Sequence, residues 1–110
     1  MQELLFLHGV RLQMIQIRPS DLYYKYPRDT NHRGEPKFSG KPDRHPFNRN
    51  DLYEVLPMFS AVMDGLDRDD ERTLHQIEEL MIHEMPGFIS TREEVFLAVS
   101  FVVIRRESSP

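Results

Sequence analysis

The chain contains no cysteine. This absence excludes a disulfide framework, a thiol nucleophile, and any zinc or iron–sulfur site that depends on thiolate ligands. Small secreted domains usually rely on disulfides because their hydrophobic cores are limited. A chain of 110 residues without cysteine is therefore expected to fold in a reducing compartment, and we predict a cytoplasmic protein.

Long hydrophobic runs are also missing. The apolar stretch VFLAVSFVVI at residues 95–104 is about half of the roughly 20 residues that a membrane-spanning helix needs. Near the N-terminus the apolar run LLFL at residues 4–7 is short, and no basic region precedes it. We therefore expect neither a membrane span nor an export signal in this sequence.

Glycine is scarce, with five residues, and two of them lie in HRGEPKFSGKP at residues 32–42. A phosphate-binding loop has four residues between its first glycine and a Gly-Lys-Ser/Thr sequence, so that backbone N–H groups surround the phosphate. Here five residues separate Gly34 from Gly40, and Lys41 is followed by Pro42. Because proline supplies neither a hydroxyl nor an N–H donor, this loop is not expected to bind a nucleotide.

The residues that are present describe one small globular domain. Apolar residues make up 39% of the chain and charged residues 29%, which is typical of a soluble folded protein. Residues 1–26 contain partial alternation in VRLQMIQI, which predicts a short N-terminal strand or helix followed by a turn. Residues 27–50 hold four prolines and two glycines and are predicted to form a long irregular loop.

Residues 51–106 carry three helical patterns, so we predict a mainly α fold with a small three-helix bundle. The first helix begins at Asn50 or Asp51 and continues to about residue 66, with Pro57 on its solvent side together with Glu54, Ala61, Asp64 and Gly65. The alternative is a later start, with Pro57 in the first turn. The second runs over residues 69–85, with Leu74, Ile77, Met81 and Met85 as its core stripe. The third covers residues 91–106. Its four valines also allow a strand, but Ser90 with Glu93 matches a capping box and favours the helix.

The third predicted helix is apolar on two sides. One face consists of Val95, Phe96, Val99, Val102 and Val103, and a second face consists of Leu97, Phe101 and Ile104. A domain of this size has little protein to cover both faces. The pattern predicts that Leu97, Phe101 and Ile104 bind a protein partner, most simply a second copy of the chain in a homodimer.

A segment rich in aromatic and basic residues provides an alternative. Single-stranded nucleic acid is bound by such mixtures, because cations contact phosphates and aromatic rings stack on bases. The candidate residues are Tyr23, Tyr24, Lys25, Tyr26, Arg28, Arg33, Lys37, Phe38, Lys41, Arg44 and Arg49. The simpler explanation is that these rings hold a long loop against the helices, while its cations meet the acidic half of the chain. Residues 1–50 have nine Lys/Arg against five Asp/Glu, and residues 51–110 have five against thirteen.

Catalytic and metal-binding patterns are weak. His75, Glu79 and His83 share one side of the second helix, but the two histidines are about 12 Å apart along its axis, too far for one tetrahedral ion. The adjacent pairs Glu78/Glu79 and Glu93/Glu94 are typical of a solvated helix surface. We expect a non-catalytic interaction or regulatory protein without a cofactor; a metal-dependent enzyme is the least favoured alternative.

Overall fold

A computed structural model describes residues 16–28 and 38–108, and it confirms the mainly α fold with a three-helix bundle. A 3₁₀ turn spans Pro19–Asp21. Helix α1 covers Leu52–Gly65, α2 covers Glu71–Glu79 and continues as a π turn over Leu80–Glu84, and α3 covers Arg92–Ser108. Most of the predicted N-terminal strand or helix lies outside the described residues. Within these ranges the extended pairing is limited to one isolated bridge, between Pro46 and Thr91.

Helix α1 begins where its N-terminal amides find an acceptor. Asp51 is the N-cap, and its carboxylate accepts a hydrogen bond from the Tyr53 amide at 3.0 Å. The side of α1 that faces solvent is narrower than predicted, because Ala61 is buried and Pro57 is half-buried. Helix α1 contacts both α2 and α3, so its buried sector is wider than a single apolar stripe.

Helix α2 is shorter than predicted and changes its winding. Asp70 caps it by accepting from the Thr73 amide at 2.9 Å. The helix then passes into the π turn at Leu80, which the sequence pattern did not predict. Leu80 is buried although it lies outside the predicted stripe, because the buried side of the helix is wider than that stripe. It also includes Thr73, which lies only about 20° from Leu80 at 100° per residue.

Helix α3 begins one residue later than the predicted capping box requires. Its cap is Thr91, whose hydroxyl accepts from the Glu94 amide at 3.1 Å. The Glu94 carboxylate accepts in return from the amides of Ser90 and Thr91, at 3.0 and 3.1 Å. Ser90 is not the cap because its carbonyl accepts from the Phe47 amide at 2.8 Å, which keeps the chain extended through the bridge at Thr91.

A buried arginine ties the start of α3 to the rest of the domain. Arg92 is fully buried, and its guanidinium lies 2.6 Å from a Glu54 carboxylate oxygen on α1. It also lies 3.1 Å from Asp43 in the loop and 4.8 Å from the centre of the Phe38 ring. A buried charge needs partners of this kind. The Arg92 cluster, made of these four residues, joins α1, α3 and the loop.

The loop before α1 is packed rather than extended away from the bundle, as far as the described residues show. Phe38 and Phe47 are buried and meet edge to face, with their ring centres 6.4 Å apart. Arg49 donates to the carbonyls of Met85, Pro86 and Ile89 at 2.7, 2.8 and 2.7 Å. These carbonyls follow the end of α2 and would otherwise need other donors. Burial lowers the pKa of Arg49.

The core of α3 is a stripe of three valines. Val95, Val99 and Val103 are all completely buried. Together with Arg92 they fix which side of α3 faces the bundle.

In the part of the chain that the structure describes, no helix combines the length and hydrophobicity needed to cross a bilayer.

The position of the cap gives a first test. Thr91→Ala is expected to lower the free energy of unfolding by about 1 kcal/mol because the Glu94 amide loses its acceptor. Ser90→Ala is the matched control and should change it by less than about 0.5 kcal/mol. Urea unfolding followed by circular dichroism measures both. Equal losses would mean that Thr91 is not the cap.

The Arg92 cluster gives a second test. Arg92→Met leaves the Glu54 carboxylate without its cation at a nearly buried position, so we expect a loss of about 3 kcal/mol or more. Arg106→Met removes an exposed ion pair with Glu84 and should cost less than about 1 kcal/mol. Comparable losses in the two variants, measured by denaturant unfolding, would contradict a structural role for the buried pair.

Candidate functional site

The strongest candidate site is the outer face of α3, defined as Leu97, Phe101 and Ile104. Their exposed fractions are 59%, 59% and 51%. At 100° per residue the three side chains fall within a sector of about 60°, opposite the valine stripe. Isolated exposed leucines are ordinary, but a contiguous apolar stripe on one helix is typical of an interaction surface. The structure thus brings together the three residues that the sequence predicted.

Charged side chains border the outer face. The Arg105 guanidinium lies 5.6 Å from the centre of the Phe101 ring, within the range of a cation–π contact. Glu94, which holds the amides at the start of α3, lies one helix turn before Leu97. The hydrogen bonds from Thr91 and Ser90 lower the pKa of Glu94, so its carboxylate is ionised at neutral pH. The face therefore has an acidic end and a basic end.

The aromatic–basic segment is divided between the core and the surface. Phe38 is buried, Tyr26 is half-buried against Phe59 with ring centres 6.0 Å apart, and Arg49 binds backbone carbonyls. Tyr24 is half-buried. The candidates that remain exposed are Tyr23, Lys25, Arg28, Lys41 and Arg44. Arg33 and Lys37 lie outside the described residues. The candidates therefore do not form one continuous surface within the described ranges.

Glu78 is a buried residue that the sequence analysis placed on the surface, and this prediction was wrong. Its side chain is completely buried. The carboxylate accepts from the amides of Tyr23 and Tyr24 at 2.8 and 3.2 Å, and from the Tyr26 hydroxyl at 2.8 Å. The signal was present in the spacing, because at 100° per residue Glu78 lies only about 40° from Leu74 in the core stripe.

The contacts of Glu78 attach residues 16–28, here called the N-terminal segment, to helix α2. Burial and the hydrogen bond to Glu78 raise the pKa of Tyr26. Tyr24 donates its hydroxyl proton to Glu79, and this hydrogen bond raises the pKa of Tyr24 to about 12. Both phenols are therefore protonated at neutral pH and act as donors. The role of these groups is to hold an irregular segment in place.

The proposed metal ligands lie along this same attachment. His83 Nε2 is 3.9 Å from a Glu79 carboxylate oxygen and 3.3 Å from the Tyr24 hydroxyl. His75 is half-buried, with its Nε2 3.3 Å from the carbonyl oxygen of Asp21. A search of the described residues finds no group of three His, Cys, Asp or Glu that could hold a metal ion. The fully solvated stripe that the sequence predicted is in fact partly covered by the N-terminal segment.

An open cavity of about 280 Å³ lies between the N-terminal segment and the start of α2. Four carboxylates line it, from Asp21, Asp69, Asp70 and Glu71. Asp70 is the cap of α2, and its hydrogen bonds with Thr73 lower its pKa to about 2. Asp21 accepts from the backbone and side chain of Arg18. Two of the four carboxylates therefore already accept hydrogen bonds from within the chain.

Comparison with known proteins gives no relative: no protein-family model, no curated protein and no solved structure matches the chain.

The buried carboxylate gives a third test. Glu78→Gln replaces one acceptor oxygen by an NH₂ group that faces N–H and O–H donors, so we expect a loss of about 2 kcal/mol and faster trypsin cleavage after Lys25. Glu79→Gln keeps an acceptor for Tyr24 at a half-exposed position and is the control. Cleavage at equal rates in both variants would contradict attachment through Glu78.

Proposed function

We propose that this protein is a small, non-catalytic interaction or regulatory protein that self-associates through the outer face of α3. The observation that carries the proposal is the exposure of Leu97, Phe101 and Ile104, each more than half exposed, on a helix whose opposite face is fully buried. Covering apolar surface contributes about 25 cal/mol per Å². Exposed apolar side chains in one stripe are therefore a source of binding free energy.

The anchoring of α3 supports the proposal further. The outer face cannot be hidden by rotating the helix, because Val95, Val99 and Val103 are buried on the other side and Arg92 is held by Glu54 and Asp43. Among the described residues, exposure of the outer face is then a property of the folded helices. A second protein surface is the natural cover for it.

A cytoplasmic location is part of the same proposal. Its support is the lack of cysteine in a small domain, which is common where thiols are kept reduced. Folding here depends on buried ionic and hydrogen-bonded groups, such as Arg92 and Glu78, instead of covalent cross-links.

Nucleic-acid binding by the aromatic–basic segment has weaker support. Phe38 and Phe47 are buried, and Arg49 is hydrogen-bonded to backbone carbonyls. These residues are not available for stacking on bases or contacting phosphates. The exposed set of Tyr23, Lys25, Arg28, Lys41 and Arg44 would have to act without them.

Phe101→Glu tests the proposal. Because Phe101 is 59% exposed, the variant should keep the circular dichroism spectrum of the unmodified chain and unfold at the midpoint that the unmodified chain has when it is diluted to a monomer. It should nevertheless be monomeric by size-exclusion chromatography with light scattering, since a carboxylate in the apolar contact is desolvated without a partner.

Phe88→Glu is the matched control, because Phe88 is 82% exposed and lies outside α3. This variant makes the same change of charge and of apolar area, and it should still associate. If the unmodified chain and both variants have the same monomeric mass, self-association through α3 is wrong. If Phe88→Glu alone becomes monomeric, the interface lies elsewhere.

A further inference from the structure

The outer face of α3 is arranged symmetrically along the helix. Leu97 and Ile104 are seven residues apart, about 10 Å along the axis, and the midpoint between them falls between residues 100 and 101. Phe101 lies at this midpoint. If a second copy of α3 is turned by 180° about an axis through that point, Leu97 of each copy faces Ile104 of the other. The two Phe101 rings then lie next to each other.

The charges on one edge of the face follow the same symmetry. Glu94 and Arg105 are separated by only about 20° around the helix, so both lie on the same edge of the outer face. Their midpoint falls between residues 99 and 100, which is one residue, or about 1.5 Å, from the midpoint of Leu97 and Ile104. A single two-fold axis therefore brings the apolar pairs into contact and places Glu94 opposite Arg105 of the other copy.

We propose that the partner of the outer face is a second copy of this chain, packed antiparallel on α3, with Glu94 of each protomer bound to Arg105 of its partner. This inference rests on the proposed self-association and specifies its geometry. The contact is isologous, as most homodimer interfaces are. Both hydrogen bonds from Ser90 and Thr91 go to Oε1 of Glu94, so in the proposed contact Arg105 of the partner binds Oε2.

A parallel arrangement would oppose like charges. It would bring the edge that holds Glu94 against the opposite edge of the partner, so that Glu94 lies level with Glu93, and it would align the two helix dipoles side by side. The antiparallel arrangement opposes unlike charges on this edge. On the other edge it places Glu93 level with Glu107, whose carboxylate is paired with Arg68 of its own chain. Of the two arrangements, only the antiparallel pair therefore places a cation opposite Glu94.

Cysteine cross-linking tests the geometry, because the chain has no cysteine of its own. The variants L97C and I104C are purified separately, and each is oxidised alone and as an equal mixture with the other. In the antiparallel pair, a thiol at position 97 faces a thiol at position 104 of the other variant, within the reach of a disulfide. We expect several-fold more disulfide-linked dimer in the mixture than in either variant alone. R72C, on the exposed surface of α2, measures cross-linking by random collision.

The outcomes separate this inference from the proposed function. If the chain is a dimer but L97C alone and I104C alone each give as much disulfide-linked dimer as the mixture, the antiparallel geometry is wrong. Self-association would still hold in that case. A monomer with cross-linking no faster than R72C overturns both. The chain could also be a monomer in which the L97C thiol reacts with maleimide only after residues 1–15 are deleted. This result would show that the chain's own N-terminus covers the face, and it would overturn both the antiparallel geometry and self-association.

A charge exchange tests the ionic pair separately. Arg105→Glu should weaken the dimer several-fold, because each new carboxylate faces Glu94 of the partner. Adding Glu94→Gln should restore part of this loss, since glutamine retains an acceptor for the capping amides but carries no charge. In a parallel pair the two changes would not interact. A double variant that dimerises no better than Arg105→Glu alone therefore contradicts the Glu94–Arg105 contact.

Discussion

The orientation of α3 depends on two features of its inner side, the buried valines and the buried guanidinium of Arg92. Val95, Val99 and Val103 are fully buried, and Arg92 is held between Glu54 and Asp43. A buried charge restricts position more strongly than an apolar side chain, because its partners must lie at defined distances. Once the inner side is fixed in this way, the outer face of the helix must point away from the bundle.

The same physical means hold the irregular parts of the chain. The N-terminal segment is attached by the completely buried carboxylate of Glu78, and the loop before α1 is attached by Arg49 and Arg92. A small core cannot hold long connections by apolar contact alone. The buried or half-buried ionic groups of Glu78, Arg49 and Arg92 therefore anchor these segments to the helices. The charge distribution suggested that cations of residues 1–50 would bind carboxylates of residues 51–110. In the contact between Asp43 and Arg92 the direction is reversed, because the carboxylate belongs to the first half and the cation to the second.

The periodicity of apolar residues was sufficient to predict the helix order and the two faces of α3. The predicted start of α1 is Asn50 or Asp51, and Asp51 is the cap. Periodicity failed where tertiary contacts decide local structure. The bridge between Pro46 and Thr91 moved the cap from Ser90 to Thr91, and the buried side of α2 includes Leu80, which lies outside the predicted stripe. The burial of Glu78 could have been predicted from its angular position close to that stripe. Its hydrogen-bond donors could not, because they are more than 50 residues away in sequence. Of the candidate site residues, those on α3 were predictable because exposure of a second apolar face follows from helix geometry and domain size.

Self-association requires that folded protomers cover the outer face of α3 with one another. Sedimentation equilibrium of the unmodified chain over a wide range of concentrations measures this directly. We predict a mass that rises from the 13.1 kDa of one chain to twice that value as the concentration increases. A mass of 13.1 kDa at every concentration would contradict the account.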